Sequence, residues 1–288
     1  MYRIGILGTE NSHAGVFAKL FRDDPAFRDM KLVAVGGHYP ESNQKMCEEF
    51  GIDTIVERPE DMVGMVDAVM ITARDGKYHL PFARPFLEAG IPMFIDKPFS
   101  VDEQEALDFA REAKRRGVPL ASGSILKCAY DAKLLQNEAQ THLDDIKGGT
   151  VTAPVKMNSE HSGFFFYSSH LAELSLMIFG QEPLSVTAHR HGENVTAVVD
   201  YEGFSVANCF VGGFSQYGAQ IFRSKSIYTR AVDLAFSSRE LALGFAHMLR
   251  TGEMPQSYRD LVYPVIYLNA IKRSYETGET VILPKIEL

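Results

Sequence analysis

The chain contains no tryptophan and only three cysteines in 288 residues. Cys47, Cys128 and Cys209 lie far apart and form no CxxC pair, which argues against both a zinc knuckle and a disulfide framework. No apolar run approaches the roughly 18 residues that a membrane-spanning helix requires. The opening MYRIGILG lacks the basic stretch and cleavable apolar segment of a secretory signal, so a cytoplasmic protein is expected. Positive charge is scarce: 29 Lys and Arg stand against 37 Asp and Glu, a formal net of −8. That disfavours wrapping nucleic acid but allows a small anionic ligand held by a few local donors. The expected partner is therefore a small molecule, with neither nucleic acid nor membrane involved. Repeats, low-complexity segments and flexible linkers are also missing. What is present is an ordinary globular balance, 45% hydrophobic and 23% charged, at a length that suits about two domains.

Short apolar runs alternate with helical patterns through the first 120 or so residues. Strands are expected at 3–8, 31–36, 54–56, 68–72, 91–95 and 120–122, and helices at 14–22, 42–50, 79–89 and 101–116. Near-continuous apolar strands separated by helices indicate a parallel sheet covered on both faces, a doubly wound Rossmann-type architecture. Ligands in that architecture sit at the carboxyl ends of the strands, here 8–13, 36–38, 72–75 and 96–98. The second half reads differently, with helices at 127–140, 168–179, 238–250 and 261–277. Alternating strands at 184–189, 196–201, 205–210 and 220–223, with a short run at 281–283, point to a mostly antiparallel, open-faced sheet in an α+β domain. The boundary falls near residue 122, giving domains of 1–122 and 123–288.

A dinucleotide loop uses three glycines: for the turn, for close approach of pyrophosphate, and for helix–strand packing. Here the loop reads Gly8-Thr9-Glu10-Asn11-Ser12-His13. Glu10 stands at the second glycine position and His13 at the third. A carboxylate there repels phosphate unless it turns outward. Asn11 or Ser12 can cap the following helix, whose free N–H groups still suit an anion. The second strand ends in Gly36-Gly37-His38 with no acidic residue to take an adenosine ribose, so NAD and NADP both stay open. His38 can approach a 2′-phosphate, but no arginine is adjacent, and a lone histidine there is more often an ordinary surface loop residue.

The run Gly90-Ile-Pro-Met-Phe-Ile-Asp96-Lys97-Pro98 delivers a lysine to the ligand edge of the sheet, where it can stabilise charge on a substrate oxygen. At this point the chain resembles the glucose–fructose oxidoreductase/inositol dehydrogenase (Gfo/Idh/MocA) family. The resemblance rests on IGILG, VDAVMIT, His79 opening the next helix, FLEAGIPMFIDKP and the closing SYETGETVIL, in that order. It implies a nicotinamide cofactor, NAD or NADP, a sugar- or polyol-like substrate, and a homodimer or homotetramer. It also implies cofactor contacts from Gly8, Glu10, Asn11, Ser12, His13, Gly37, His38, Thr72, Arg74, His79, Asp96 and Lys97.

In the family a helix of the second domain presents a catalytic histidine, usually four residues after an aspartate. His170 matches the histidine, and Phe166 stands in the aspartate's place. The chemistry then falls to Lys97, His170, Tyr167 and Glu173. Glu173 lies three residues after His170 on one helix face, where a carboxylate can orient the ring or raise its pKa. Glu160 and His161 precede this helix and can line the cleft, and Arg74 to Lys77 rim the nicotinamide pocket. His189 and His191 alternate along a strand without a third ligand nearby, so no metal is expected.

Three functions are compatible with these residues. The first is hydride transfer between a nicotinamide and a hydroxyl-bearing carbon. The second is a cofactor-retaining lyase or hydrolase that uses transient oxidation. The third is a non-catalytic, ligand-sensing relative that has lost nucleotide binding.

Overall fold

The computed structural model describes all 288 residues. The first half folds as β1 (Tyr2–Leu7), α1 (Ser12–Asp23), β2 (Met30–Gly36), α2 (Pro40–Phe50), β3 (Thr54–Val56), β4 (Ala68–Ile71), α3 (His79–Ala89), β5 (Met93–Ile95), α4 (Glu103–Arg116) and β6 (Leu120–Ser122). The six strands form one parallel sheet in the order β3-β2-β1-β4-β5-β6. The order reverses at β1, so the loops after β1 and β4 flank the crevice where ligands of such sheets bind. Asn11 and Asp102 cap α1 and α4 through their side chains, and Gly51, Gly90 and Gly117 end α2, α3 and α4 in the left-handed region.

The second half folds as α5 (Tyr130–Thr141), β7 (Ile146–Val155), α6 (Phe165–Phe179), β8 (Ser185–His191), β9 (Asn194–Tyr201), β10 (Phe204–Gly212), β11 (Gly218–Arg223), β12 (Ser226–Ala231), α7 (Ser237–Thr251), α8 (Tyr258–Thr277) and β13 (Val281–Ile282). Its seven-stranded sheet has the order β12-β11-β7-β10-β9-β8-β13. Every pair is antiparallel except β7 with β10. One face is covered by α6 and α8, and burial alternates along β9 as a half-covered sheet requires. β7 is a central strand that the hydrophobic pattern does not predict, because IKGGTVTAPV carries two glycines and a proline. Gly149 is needed there: a Cβ would meet the Phe179 ring at 2.2 Å, so the last turn of α6 lies directly on the strand. β12 is also unpredicted. It is an edge strand with alternating polar residues and no apolar face to signal it.

The two halves share their cores. On one face of the first sheet, Phe94 of β5 meets Phe17 of α1 at 5.3 Å and Phe245 of α7 at 6.1 Å, both edge to face. Helix α7 is therefore part of the first sheet's cover although it comes late in the chain. Ion pairs Arg239–Asp24 (2.7 Å) and Arg250–Asp29 (2.6 Å) tie its polar side to the turn after α1. On the other face α4 packs against α8. No helix is long and apolar enough to cross a membrane.

Phe94 is completely buried. Phe94→Ala is expected to cost about 3–5 kcal/mol of stability through lost burial and an unfilled cavity. Urea unfolding followed by circular dichroism, in a chain without tryptophan, measures it. A loss below about 1 kcal/mol, the scale of an ordinary point substitution, would mean that α7 does not pack there.

Candidate active site

β5 delivers Asp96 and Lys97 to the carboxyl edge of the first sheet, beside the loops after β1 and β4. Asp96 is 0% exposed. Its Oδ2 accepts from Asn11 Nδ2 at 3.1 Å and from His13 Nδ1 at 2.9 Å. Burial pushes this carboxyl up, but His13, Lys97 and His79 outweigh it and hold the group well below the usual carboxylate range. Asp96 is thus a buried carboxylate with partners on one oxygen, its Oδ1 being sealed without one. Asn11 also accepts from the His13 N–H, capping α1 while it binds Asp96.

Around this carboxylate the phosphate loop takes an unusual form. Gly8 has φ +95°, and a Cβ there would lie 2.1 Å from the Ala73 nitrogen, so this glycine is required by the approach of β4. Thr72 Oγ1 donates to the Gly8 carbonyl at 2.9 Å across the same gap. A Cβ on Gly37 would lie 3.0 Å from Gly8 N, so the ends of β1, β2 and β4 converge. Glu10 reaches across from the β1 loop, and its Oε1 accepts from the Arg74 N–H at 2.8 Å. Its Oε2 is sealed from solvent with no partner. Beside it a cavity of about 340 Å³ is lined by Asn11, Ser12, Gly15, Lys45 and Arg74.

Lys97 is 7% exposed, and its Nζ stands over the Phe166 ring at 5.3 Å. The Arg74 guanidinium approaches the same ring at 5.8 Å. Phe166 therefore receives two cations, contacts made favourable by the negative face of the ring. It belongs to the first turn of α6, which is buried along nearly its whole length as its apolar sequence dictates. The turn leading into α6 is fixed to the first sheet by a hydrogen bond from Ser162 Oγ to Asp75 in the β4 loop.

His170, one turn further along α6, is 6% exposed. Its Nδ1 lies 2.6 Å from Ser124 Oγ. Burial, then the charges of Lys97 and His13, hold its pKa well below the ordinary value, with Asp96 opposing only in part. The contacts of Lys97 with Phe166 and of Ser162 with Asp75 bring the start of α6 to the first sheet's edge. Tyr167 packs against both Phe166 and His170, with Lys156 over its ring.

Several expected roles change here. Glu173 does not face His170: it pairs with Lys127 at 2.8 Å and accepts from Ser124 N at 2.9 Å. The pKa of His170 accordingly falls rather than rises. His79 is wholly buried, with its ring nitrogens 2.6 and 2.7 Å from the carbonyls of Pro98 and Ala73. It staples the loops after β4 and β5 and has no nitrogen left for a ligand. Thr72 has its hydroxyl on main-chain carbonyls in the same way. His38 is exposed, packed edge-on against Tyr78 at 4.4 Å and Phe82 at 4.9 Å, on the β2 side of the crevice. Ser124 and Lys45 stand beside these residues and were not expected, whereas Asp75 lies in the loop expected to rim the pocket. Ser124 follows Gly123 at the end of β6, a serine before a helical turn, and that capping pattern is the signal that could have found it.

A family model described as "Oxidoreductase family, NAD-binding Rossmann fold" (GFO_IDH_MocA) matches residues 2–124. Residues 2–124 are thus similar to the NAD-binding domain of this family. Nothing among curated protein sequences matches the chain. Solved structures similar to it over the whole length include myo-inositol 2-dehydrogenase from Lactobacillus plantarum, at 16% identity and a TM-score of 0.85, covering 98% of this chain and 99% of that one. The scyllo-inositol dehydrogenase from Lactobacillus casei, with bound NAD(H) and scyllo-inositol, gives 14% identity and 0.85 over 98% and 99%. GenD2 from gentamicin A biosynthesis, in complex with NAD, gives 16% and 0.84 over 99% and 97%. At these identities the likeness establishes the two-domain fold.

The residues of the crevice fit the dinucleotide of this family. The first turn of α1, with Lys45 and Arg74 beside it, opens onto a cavity, and a negative group placed there meets the positive end of the helix and two cations. Two carboxylates of the cavity lining stand against it: Glu10, whose Oε2 is unpartnered, and Glu49. Removing the first of these charges is expected to help: Glu10→Gly should bind NADH at least ~10-fold more tightly than the natural chain, a gain of about 1.4 kcal/mol. Titration of NADH fluorescence measures it, and equal or weaker binding would show that the carboxylate does not oppose phosphate.

His170 also makes a pH signature. Because its folded pKa is depressed, its contribution to stability is complete above the unfolded value of about 6.5 and is lost as pH falls below it. Stability of the natural chain should decline from about pH 6.5 toward pH 5, and His170→Gln should flatten that slope. Parallel slopes in urea unfolding of the two proteins would contradict the buried, neutral ring.

Proposed function

We propose that the protein is an NAD- or NADP-dependent oxidoreductase acting on a sugar- or polyol-like substrate, at a hydroxyl-bearing carbon or its carbonyl counterpart. In this reading residues 1–122 hold the dinucleotide and residues 123–288 hold the substrate. The observation that carries it is that Lys97, just after β5, stands over Phe166 of α6, one turn before His170 on the same helix. The α1 N-terminus, Ser12, Arg74 and Lys45 would hold the phosphates. The bound nicotinamide would supply hydride-transfer chemistry, which no side chain of the protein can provide.

The protein's own part is to bind, orient and protect the reacting oxygen. Lys97 is held by the sheet edge and by Phe166, so its ammonium is already in place and little reorganises when charge develops on that oxygen. His170 makes a second contact to the same atom. Phe166 removes the carboxylate usual in the family and keeps that side of the site dry, which strengthens the field of Lys97. The scyllo-inositol bound to the Lactobacillus casei dehydrogenase supports the polyol class. The open face of the second sheet would serve a homodimer or homotetramer contact. Glu10, between the β1 and β4 loops, is the observation that favours the alternative of a sensing relative without nucleotide binding.

Calorimetric titration with NAD, NADP and their reduced forms, followed by assays on polyols and their ketones, separates the two readings. Lys97→Ala is expected to keep the circular dichroism spectrum and lower kcat/KM at least ~100-fold. Unchanged turnover, or no binding of any of the four dinucleotides, would overturn the enzymatic reading.

A further inference from the structure

Ser124 places a hydroxyl against one ring nitrogen of His170. Ser124 is wholly buried, and its Oγ makes two contacts. It accepts from the Leu126 N–H at 3.1 Å, which caps the helical turn after β6, and it lies 2.6 Å from His170 Nδ1. Two arrangements can be drawn. If Nδ1 carried a hydrogen and donated to Oγ, the hydroxyl hydrogen would have no acceptor inside a sealed site. If the hydroxyl donates to a bare Nδ1, every group is satisfied. In a neutral imidazole the hydrogen then resides on Nε2. That nitrogen has no hydrogen-bond partner in the protein, yet it is not among the sealed polar atoms, so it reaches accessible space.

We propose that Ser124 holds His170 in its Nε2–H tautomer, so that the ring gives a hydrogen bond to the reacting oxygen instead of taking a proton from it. This deepens the proposed function, on which it relies only for the identity of that oxygen. The groups acting on the ring are consistent with an uncharged donor. Lys97, His13 and Asp96 face it from the first sheet, and Tyr167 and Tyr217 pack on it from the second half. Glu173 is kept from the ring, because its carboxylate is taken by Lys127 and by the backbone of Ser124 itself. Lys97 Nζ and His170 Nε2 are then two donors without an acceptor in the protein. A carbonyl oxygen satisfies both, whereas a hydroxyl would also have to place its own hydrogen. Of the two donors only the Lys97 ammonium has a proton to release, since an imidazole that lost Nε2–H would become an anion.

Long-range proton–nitrogen correlation spectra of the intact, unliganded protein labelled with ¹⁵N-histidine read the tautomer directly, with His170→Gln identifying the signals. The expected result is a bare Nδ1 and a protonated Nε2 throughout about pH 5.5 to 8, the range in which an ordinary histidine titrates. Hydrogen on Nδ1, or titration of both nitrogens within that window, would overturn the proposal. Ser124→Ala is expected to convert the single tautomer to a mixture, and Ser124→Thr, which keeps a hydroxyl, to preserve it. A pure Nε2–H form in a folded Ser124→Ala protein would remove Ser124 from the role. If the alanine variant does not fold, the natural chain and the threonine variant still decide the question. No cofactor enters these measurements, so an inactive protein with the expected tautomer would sink the proposed function and leave this inference standing.

Discussion

A buried negative charge, that of Asp96, organises the ligand edge of the first sheet. An ionised carboxylate cannot stay inside a protein without partners, because desolvation costs several kcal/mol. Asp96 finds them in Asn11 and His13, which draws the loop after β1 and the first turn of α1 toward the end of β5. The same charge stands next to Lys97, and His79 adds to its stabilisation while joining the loops after β4 and β5. The histidine at the third glycine position is therefore a structural replacement. Where a glycine would let helix and strand close up by having no side chain, His13 closes them by a hydrogen bond to Asp96.

The family pattern is altered at two acidic positions at once. The carboxylate that usually precedes the catalytic histidine is absent, and Phe166 fills the space between Lys97 and Arg74. A carboxylate appears instead in the phosphate loop, where Glu10 holds the Arg74 backbone. Compared with that pattern, a carboxylate is missing beside Lys97, where an aromatic ring stands, and one is added in the loop after β1.

The sequence allowed the parallel sheet to be read nearly strand by strand, because fully buried strands are uninterrupted apolar runs and each is separated from the next by an amphipathic helix. It also marked Lys97 and His170. It hid β7, whose glycines exist to admit Phe179 and so look like breakers rather than strand residues. It suggested the wrong partner for His170. A spacing of three on a helix brings Glu173 near, but the pairing depends on what each side chain meets across the helix, and Lys127 and the Ser124 N–H come from another segment. His79 likewise looked like a ligand because polarity is visible in sequence, while the two carbonyls that occupy it are not. What stayed illegible was everything set by contacts between residues far apart in the chain.

Helix α7 leaves a lasting mark on how this protein can be cut. It lies late in the chain, yet its Phe245 completes the packing beneath Phe94, and Arg239 and Arg250 anchor it to Asp24 and Asp29. A gene fragment ending near residue 124, where the nucleotide-binding pattern stops, would expose a bare aromatic patch on the underside of its sheet. The limit of a recognisable motif and the limit of an autonomously stable unit are different places in this molecule.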